Sequence, residues 1–242
     1  MITMSKMKIV FLIVEGGTDA TALGLPLENI FVGKNLKIHV SRTDITSDKF
    51  TTANQMVSVV GRKVTNYRDN NGLKSNNFEC IIHLIDTDGT YILKEQIIED
   101  TSIEYPEGED KLYCDENIYT CDKQKYIDRN IIKKTNLSRL LHKEKIAGIP
   151  YIPIYMSSCL DHVLHDRRNI NEEEKGKLAD KFEQKYKDDG AGFVDFICNS
   201  DFSVEGDIKE TWKYIQEGTN SLKRHTNLRL AIERCIQDKK AE

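Results

Sequence analysis

The sequence predicts an α/β fold, a mainly parallel sheet flanked by helices and followed by a C-terminal helical extension. Two short apolar runs, Lys8–Val14 and Cys80–Ile85, each stop at an acid, as buried parallel strands do where they open into a crevice. Helical periodicity separates the runs, and after Ser157 the pattern is almost wholly helical.

The first run ends at Glu15-Gly16-Gly17-Thr18-Asp19. There two glycines permit a tight turn with positive φ, Thr18 can cap a helix, and Asp19 to Leu25 supply its first turns. Leu36–Val40 alternates apolar and polar residues and reads as a second strand. Between Thr52 and Tyr67, the residues Ala53, Met56, Val57, Val60, Val64 and Tyr67 fall on one helical face. With the strand at Cys80–Ile85 the order is β-α-β-α-β, which implies right-handed crossovers.

Residues 95–122 break the pattern with a run of acids, read as an insertion with a hairpin around Lys111 to Tyr119 and mostly solvated charge. A helix over 136–145 ends at Gly148, and Tyr151–Met156 resembles another strand, with Pro153 marking an edge or bulge. Helices follow at 160–168, 172–186, 208–216 and 222–237, whereas 192–202 reads as a short helix or an irregular connection. Residues 1–158 are thus expected to form the catalytic domain and 159–242 a helical extension packed on it.

At 242 residues the chain can bury a real core, and with 39% hydrophobic and 31% charged residues it resembles neither a membrane protein nor a disordered one. A net charge of −4 argues against a broadly basic nucleic-acid coat but leaves room for a local basic groove. Cysteines 80, 114, 121, 159, 198 and 235 show no CxxC pair, so free thiols are expected and a zinc site is not. The run Ile9–Val14 is too short for a signal h-region or a membrane span, which predicts a cytoplasmic protein.

The chemistry concentrates at Ile85-Asp86-Thr87-Asp88-Gly89. If extended geometry persists through Asp88, both carboxylates point into the crevice at the strand's carboxyl end. Acids so close repel unless a cation or a proton intervenes, and one or two carboxylates with phosphate oxygens are the usual setting for Mg²⁺. Glu15 and Asp19 would join them if the two runs are parallel neighbours.

In Val14-Glu15-Gly16-Gly17-Thr18-Asp19 and Leu84-Ile85-Asp86-Thr87-Asp88-Gly89 the chain resembles the TOPRIM-like nucleases, including those of the OLD family. The resemblance spans residues 8–92 and extends to 158 if the late strand joins the sheet. It implies a TOPRIM-like sheet, Glu15, Asp86 and Asp88 as catalytic residues, and these three with Asp19 as ligands of Mg²⁺ or Mn²⁺. It further implies a nucleic-acid substrate, a role in defence or nucleic-acid processing, and a partner that restrains the enzyme. Thr90 stands where the topoisomerases carry a further acid, which argues against topoisomerase activity. No GxxxxGK[ST] loop occurs, so any ATPase would be a separate protein.

Asp161, His162, His165 and Asp166 follow the late strand, and of these Asp161 and His162 are accessory candidates, a third carboxylate and a proton donor, set against a plain reading as exposed helix charges. Lys223, Arg224 and His225 offer donors to a phosphate backbone or simply a solvated helix start. Arg167 and Arg168 read as surface, and Trp212 as core. Two rival functions use the same acids. Asp86-Thr87-Asp88-Gly89-Thr90 also looks like the nucleophile motif of haloacid-dehalogenase-type phosphohydrolases, with Asp86 attacking phosphorus and Asp88 as general acid/base. The other rival is a non-catalytic module that binds nucleic acid or protein. An oligomer is compatible with either.

Overall fold

The computed structural model describes residues 7–43, 45–46 and 52–236. The chain runs β1 (Lys8–Val14), α1 (Gly17–Ile30), β2 (Leu36–Arg42), α2 (Ala53–Asn70) and β3 (Phe78–Asp86), then β4 (Ile97–Glu99), β5 (Lys111–Tyr113) and β6 (Ile118–Thr120). It continues as α3 (Lys123–Leu141), β7 (Lys145–Ile146), β8 (Ile149–Ser157), α4 (Leu160–His165), α5 (Glu172–Tyr186) and α6 (Gly190–Ile197). Last come α7 (Ile208–Ile215), β9 (His225–Thr226) and α8 (Leu228–Ile236).

The main sheet has the order β2-β1-β3-β8-β7, with β9 also paired to β8. Its first four strands are parallel, and the short β7 and β9 run antiparallel to β8. The α/β class and mainly parallel sheet are those the sequence predicts. Strands β1 and β3 are mainly apolar because both their faces are covered. Val10, Leu12 and Val14 pack with Cys80, Ile82 and Leu84 under α1, α5, α6 and α8, and Phe11, Ile13 and Ile81 face α2 and the end of α3. Full burial of each such aliphatic side chain stabilises the fold by about 1.5–3 kcal/mol.

Several elements depart from the expected boundaries for identifiable reasons. Helix α3 begins at Lys123, where Asp122 caps it by accepting from the Lys125 amide at 2.9 Å, and not at Asn136. Its upstream half buries Asn130 and Lys133 alongside Tyr126 and Ile127, which hides the apolar stripe from a hydropathy reading. Gly148 does not stop a helix: Ala147 (φ 52°) and Gly148 (φ 76°) form the two-residue turn between β7 and β8, which needs positive φ at both positions. Pro153 does lie on an open stretch of strand edge, between the parts of β8 paired with β7 and β9, and its carbonyl accepts the Trp212 indole N–H at 3.0 Å.

Of residues 192–202, Gly192 to Ile197 complete the helix α6 and 198–202 form an irregular connection. The last helix starts at Leu228 and not at Leu222, because Asn220–Leu222 forms a 3-10 turn and His225–Thr226 the strand β9; its expected end, Gln237, lies outside the described residues. That strand brings the region after residue 158 back into the main sheet beside Met156 and Ser157. The expected hairpin of the insertion is present as β5 and β6, joined by β4. It is more than solvated surface, since Tyr113 and Ile118 pack with Ile92, Tyr126 and Leu222 in a small core of their own. All six cysteines are free, and among the described residues no helix is long and apolar enough to cross a membrane.

Candidate active site

The register of β1 on β3 aligns Ile13 with His83, so Glu15 and Asp86 emerge at the same edge of the sheet. Between Glu15 and α1 the glycines do not make the expected positive-φ turn. Gly16 is extended (φ −118°) and is itself the helix N-cap, in place of Thr18. Asp19 closes that end by accepting the Gly16 amide at 2.8 Å, which gives its carboxylate a structural partner. Burial raises the Asp19 pKa, a shift the Gly16 amide and Lys175 oppose.

Extended geometry does not persist from Asp86 to Asp88. The strand stops at Asp86, and Asp88 (φ 48°) and Gly89 (φ 64°) turn left-handed. The Asp88 amide donates to the Ser158 carbonyl at 2.7 Å, the Thr87 hydroxyl to the Ser221 carbonyl at 2.8 Å, and the Gly89 amide to the same carbonyl at 3.3 Å. Glycine is required at 89, since a Cβ there would meet Ile118 Cδ1 at 2.6 Å and Leu222 Cδ2 at 2.7 Å. The turn aims the Asp88 carboxylate at α3 and away from a simple side-by-side pairing with Asp86.

Helix α3 answers with cations. Lys133 is fully buried, and its Nζ lies 2.5 Å from Asp88 Oδ2 and 3.5 Å from Glu15 Oε1. One turn earlier Arg129 Nη2 reaches the same Asp88 oxygen at 2.5 Å. Tyr113 donates to Asp88 Oδ1 at 3.1 Å, and Tyr126 and Asn130 donate to the carbonyls of Asp88 and Gly89 at 2.6 Å and 3.2 Å. Glu15 Oε1 also accepts from the Thr46 hydroxyl at 3.2 Å. Glu15 and Asp88 are therefore no farther apart than the two legs through the Lys133 ammonium allow.

The two aspartates of the motif live in opposite environments. Burial opposes ionisation of Asp88, but Arg129 and Lys133 overcome it and hold its carboxyl far below the usual carboxylate range. Asp86 is pushed well above that range, first by burial and then by the charges of Glu15, Asp19 and Asp88, which the more distant Lys133 only partly offsets. Among the described residues no side chain forms an ion pair with Asp86. These acids line a cleft of about 410 Å³, with Asp161, Arg167, Arg168, Lys111 and Lys175 on its walls.

Of the accessory candidates, Asp161 faces the cleft, and burial lifts its pKa to about 6. His162 does not: it is 4% exposed, its Nδ1 accepts the Ser158 amide at 3.2 Å, and burial lowers its pKa to about 4. The trio Lys223, Arg224 and His225 also lies outside the cleft lining. Arg224 donates twice to the Val163 carbonyl at 3.0 and 2.8 Å while stacked over Phe202, Lys223 pairs with Glu116 at 3.5 Å, and β9 carries His225 to the Tyr214 hydroxyl at 3.2 Å. The sequence reading missed Lys133, Arg129, Tyr113 and Tyr126. A detectable signal existed for the lysine, which falls at helical spacing with Tyr126, Asn130, Leu137 and Leu140 on a face meant for the core.

Compared with known proteins, the chain matches no family model, no curated protein and no solved structure. Hard oxygen donors at Glu15 and Asp86 suit a divalent cation, and the field at Asp86, only partly offset by Lys133, is one that a cation would relieve. The fit is partial: Asp88 is engaged by two cationic side chains, and among the described residues no group of three or more His, Cys, Asp or Glu is set to hold a metal ion.

Proposed function

We propose that the protein is a phosphodiesterase acting on nucleic acid, a TOPRIM-like nuclease that works with Mg²⁺ or Mn²⁺ in defence or nucleic-acid processing. The observation that carries it is Asp86, a carboxyl at the end of a central parallel strand, in the field of Glu15, Asp19 and Asp88 and in no ion pair among the described residues. Glu15 and Asp86 would hold a divalent cation, which would supply Lewis acidity and a nucleophilic water. Asp88 anchors Lys133 and Arg129 beside that point. Arg129 lies outside the cleft lining, and its role is to hold Asp88.

The same electrostatics disfavour the phosphohydrolase alternative. Its general acid would be Asp88, yet Arg129 and Lys133 keep that group a permanent carboxylate at neutral pH.

The test is cleavage of labelled single-stranded DNA, duplex DNA and RNA in Mg²⁺ or Mn²⁺, with chelator and Asp86→Asn as controls. Metal-dependent cutting that both controls abolish is expected. Hydrolysis of phosphomonoesters with trapping of phosphate on Asp86 would favour the phosphohydrolase. Binding of nucleic acid without turnover under every metal would favour the non-catalytic module.

A further inference from the structure

A second cavity, of about 950 Å³, opens over the amino-terminal half of β8 between the end of α3, α7 and α8. It shares no lining residue with the acidic cleft. Its floor is apolar, formed by Leu141, Ile152, Pro153, Trp212 and Leu230. Its mouth is cationic: Lys143, Lys209, Lys213 and Arg234 come from three separate segments, all are exposed, and none forms an ion pair among the described residues. The lining holds two acids against these four cations, Glu144 and Asp207, and Asp207 also accepts the amides of Lys209 and Glu210 as the cap of α7.

The shape selects the occupant. Among the described residues, the well-exposed large apolar side chains are Met7, Leu25, Val32, Leu93, Ile131 and Tyr214, and none of them lines this cavity. Its accessible apolar surface is recessed instead: Leu141, Ile208 and Leu230 are half-buried, with Trp212 and Ile152 buried beneath them. A flat protein face or a bilayer surface does not reach such a floor, whereas a slender apolar body does. The volume also falls in the usual range for small-molecule sites, roughly 300–1,000 Å³.

We propose that this cavity binds a small, monomeric anionic amphiphile, its apolar chain or ring seated on Leu141, Ile208 and Leu230 above Trp212 and its carboxylate, sulfonate or phosphate held among Lys143, Lys209, Lys213 and Arg234. The site is independent of the acids at the strand ends, so it stands or falls apart from the nuclease.

Trp212 is the single tryptophan of the chain, so its emission reports occupancy directly. The full-length protein is titrated with laurate and with anilinonaphthalene sulfonate below their aggregation limits, with dodecanol as the uncharged control. A saturable change in Trp212 emission is expected, with dodecanol weaker than laurate. The exposed double variant Lys209→Glu/Lys213→Glu, with folding checked by circular dichroism, should lose about tenfold or more in affinity, as reversed charges at the mouth repel the anion. Equal binding by that variant, equal affinity for dodecanol, or no spectral response at millimolar laurate overturns the assignment. So does capture by phosphatidylglycerol vesicles without binding of free laurate, which would identify a membrane surface as the ligand.

Discussion

Lys133 and Asp88 form a buried ion pair, Nζ to Oδ2 at 2.5 Å, at the end of a central strand of the sheet. Taking both charges out of water is unfavourable, and the pair persists because Arg129, Tyr113 and Glu15 complete the coordination of the two partners. Removing Lys133 leaves Arg129 as the single cation on Asp88 among the described residues. Lys133→Met is expected to destabilise the fold by about 3–5 kcal/mol, and Lys133→Met/Asp88→Asn by clearly less than the sum of its parts. A double-mutant cycle from urea unfolding measures the coupling, and simple additivity would show that the pair is not energetically linked.

Asp86→Asn should act in the opposite sense on stability. Asp86 already sits where burial and three neighbouring acids oppose its charge, so the amide should raise stability by about 1–2 kcal/mol at pH 8 while abolishing cleavage. Melting curves and the oligonucleotide assay on the same preparation check both. A marked loss of melting temperature would mark Asp86 as structural.

Asp161 predicts a pH dependence. Its folded pKa is lifted, chiefly by burial, to about 6 from 3.8, so between those values the unfolded chain loses its proton first. This group's contribution therefore favours the folded state at low pH, declines as pH rises from about 4 to about 6 and is flat above. Asp161→Asn should remove that decline and gain about 1–2 kcal/mol at pH 8 relative to the parent. Urea unfolding across pH 4–8 measures it, and parallel curves for the two proteins would refute the shift.

Gly89→Ala should be among the most damaging single-methyl changes in the molecule. Its φ of 64° and the 2.6 and 2.7 Å approaches of Ile118 and Leu222 leave no room for a Cβ, and a loss of about 2–4 kcal/mol is expected. Gly33→Ala, at φ 79° but with nothing near the new methyl, is the control that isolates backbone strain from overlap.

The strand ends were readable from sequence because a parallel strand buried on both faces leaves an uninterrupted apolar run, and Glu15 and Asp86 interrupt two of them. The direction of Asp88 was not. Alternation along an extended chain puts it beside Asp86, and only the anchoring of Thr87, Asp88 and Gly89 to the Ser158 and Ser221 carbonyls, from segments remote in sequence, bends the backbone left-handed. The cations escaped for a related reason. A lysine within a helix is ordinarily a solvated residue, and nothing local to Lys133 announces that the acids it meets were laid down far earlier in the chain. The insertion looked like surface because its small strands are short and its charges conspicuous, although Tyr113 was the residue that mattered.

Lys133 lies 118 residues after Glu15 and 45 after Asp88. Glu15 and Asp88 are therefore both synthesised before Lys133, the cation they share. A nascent chain carries this charge imbalance until α3 leaves the ribosome, and a product truncated ahead of α3 keeps it permanently. The acidic centre cannot close until α3 has been made, so products terminated before it are left without the cations that complete it.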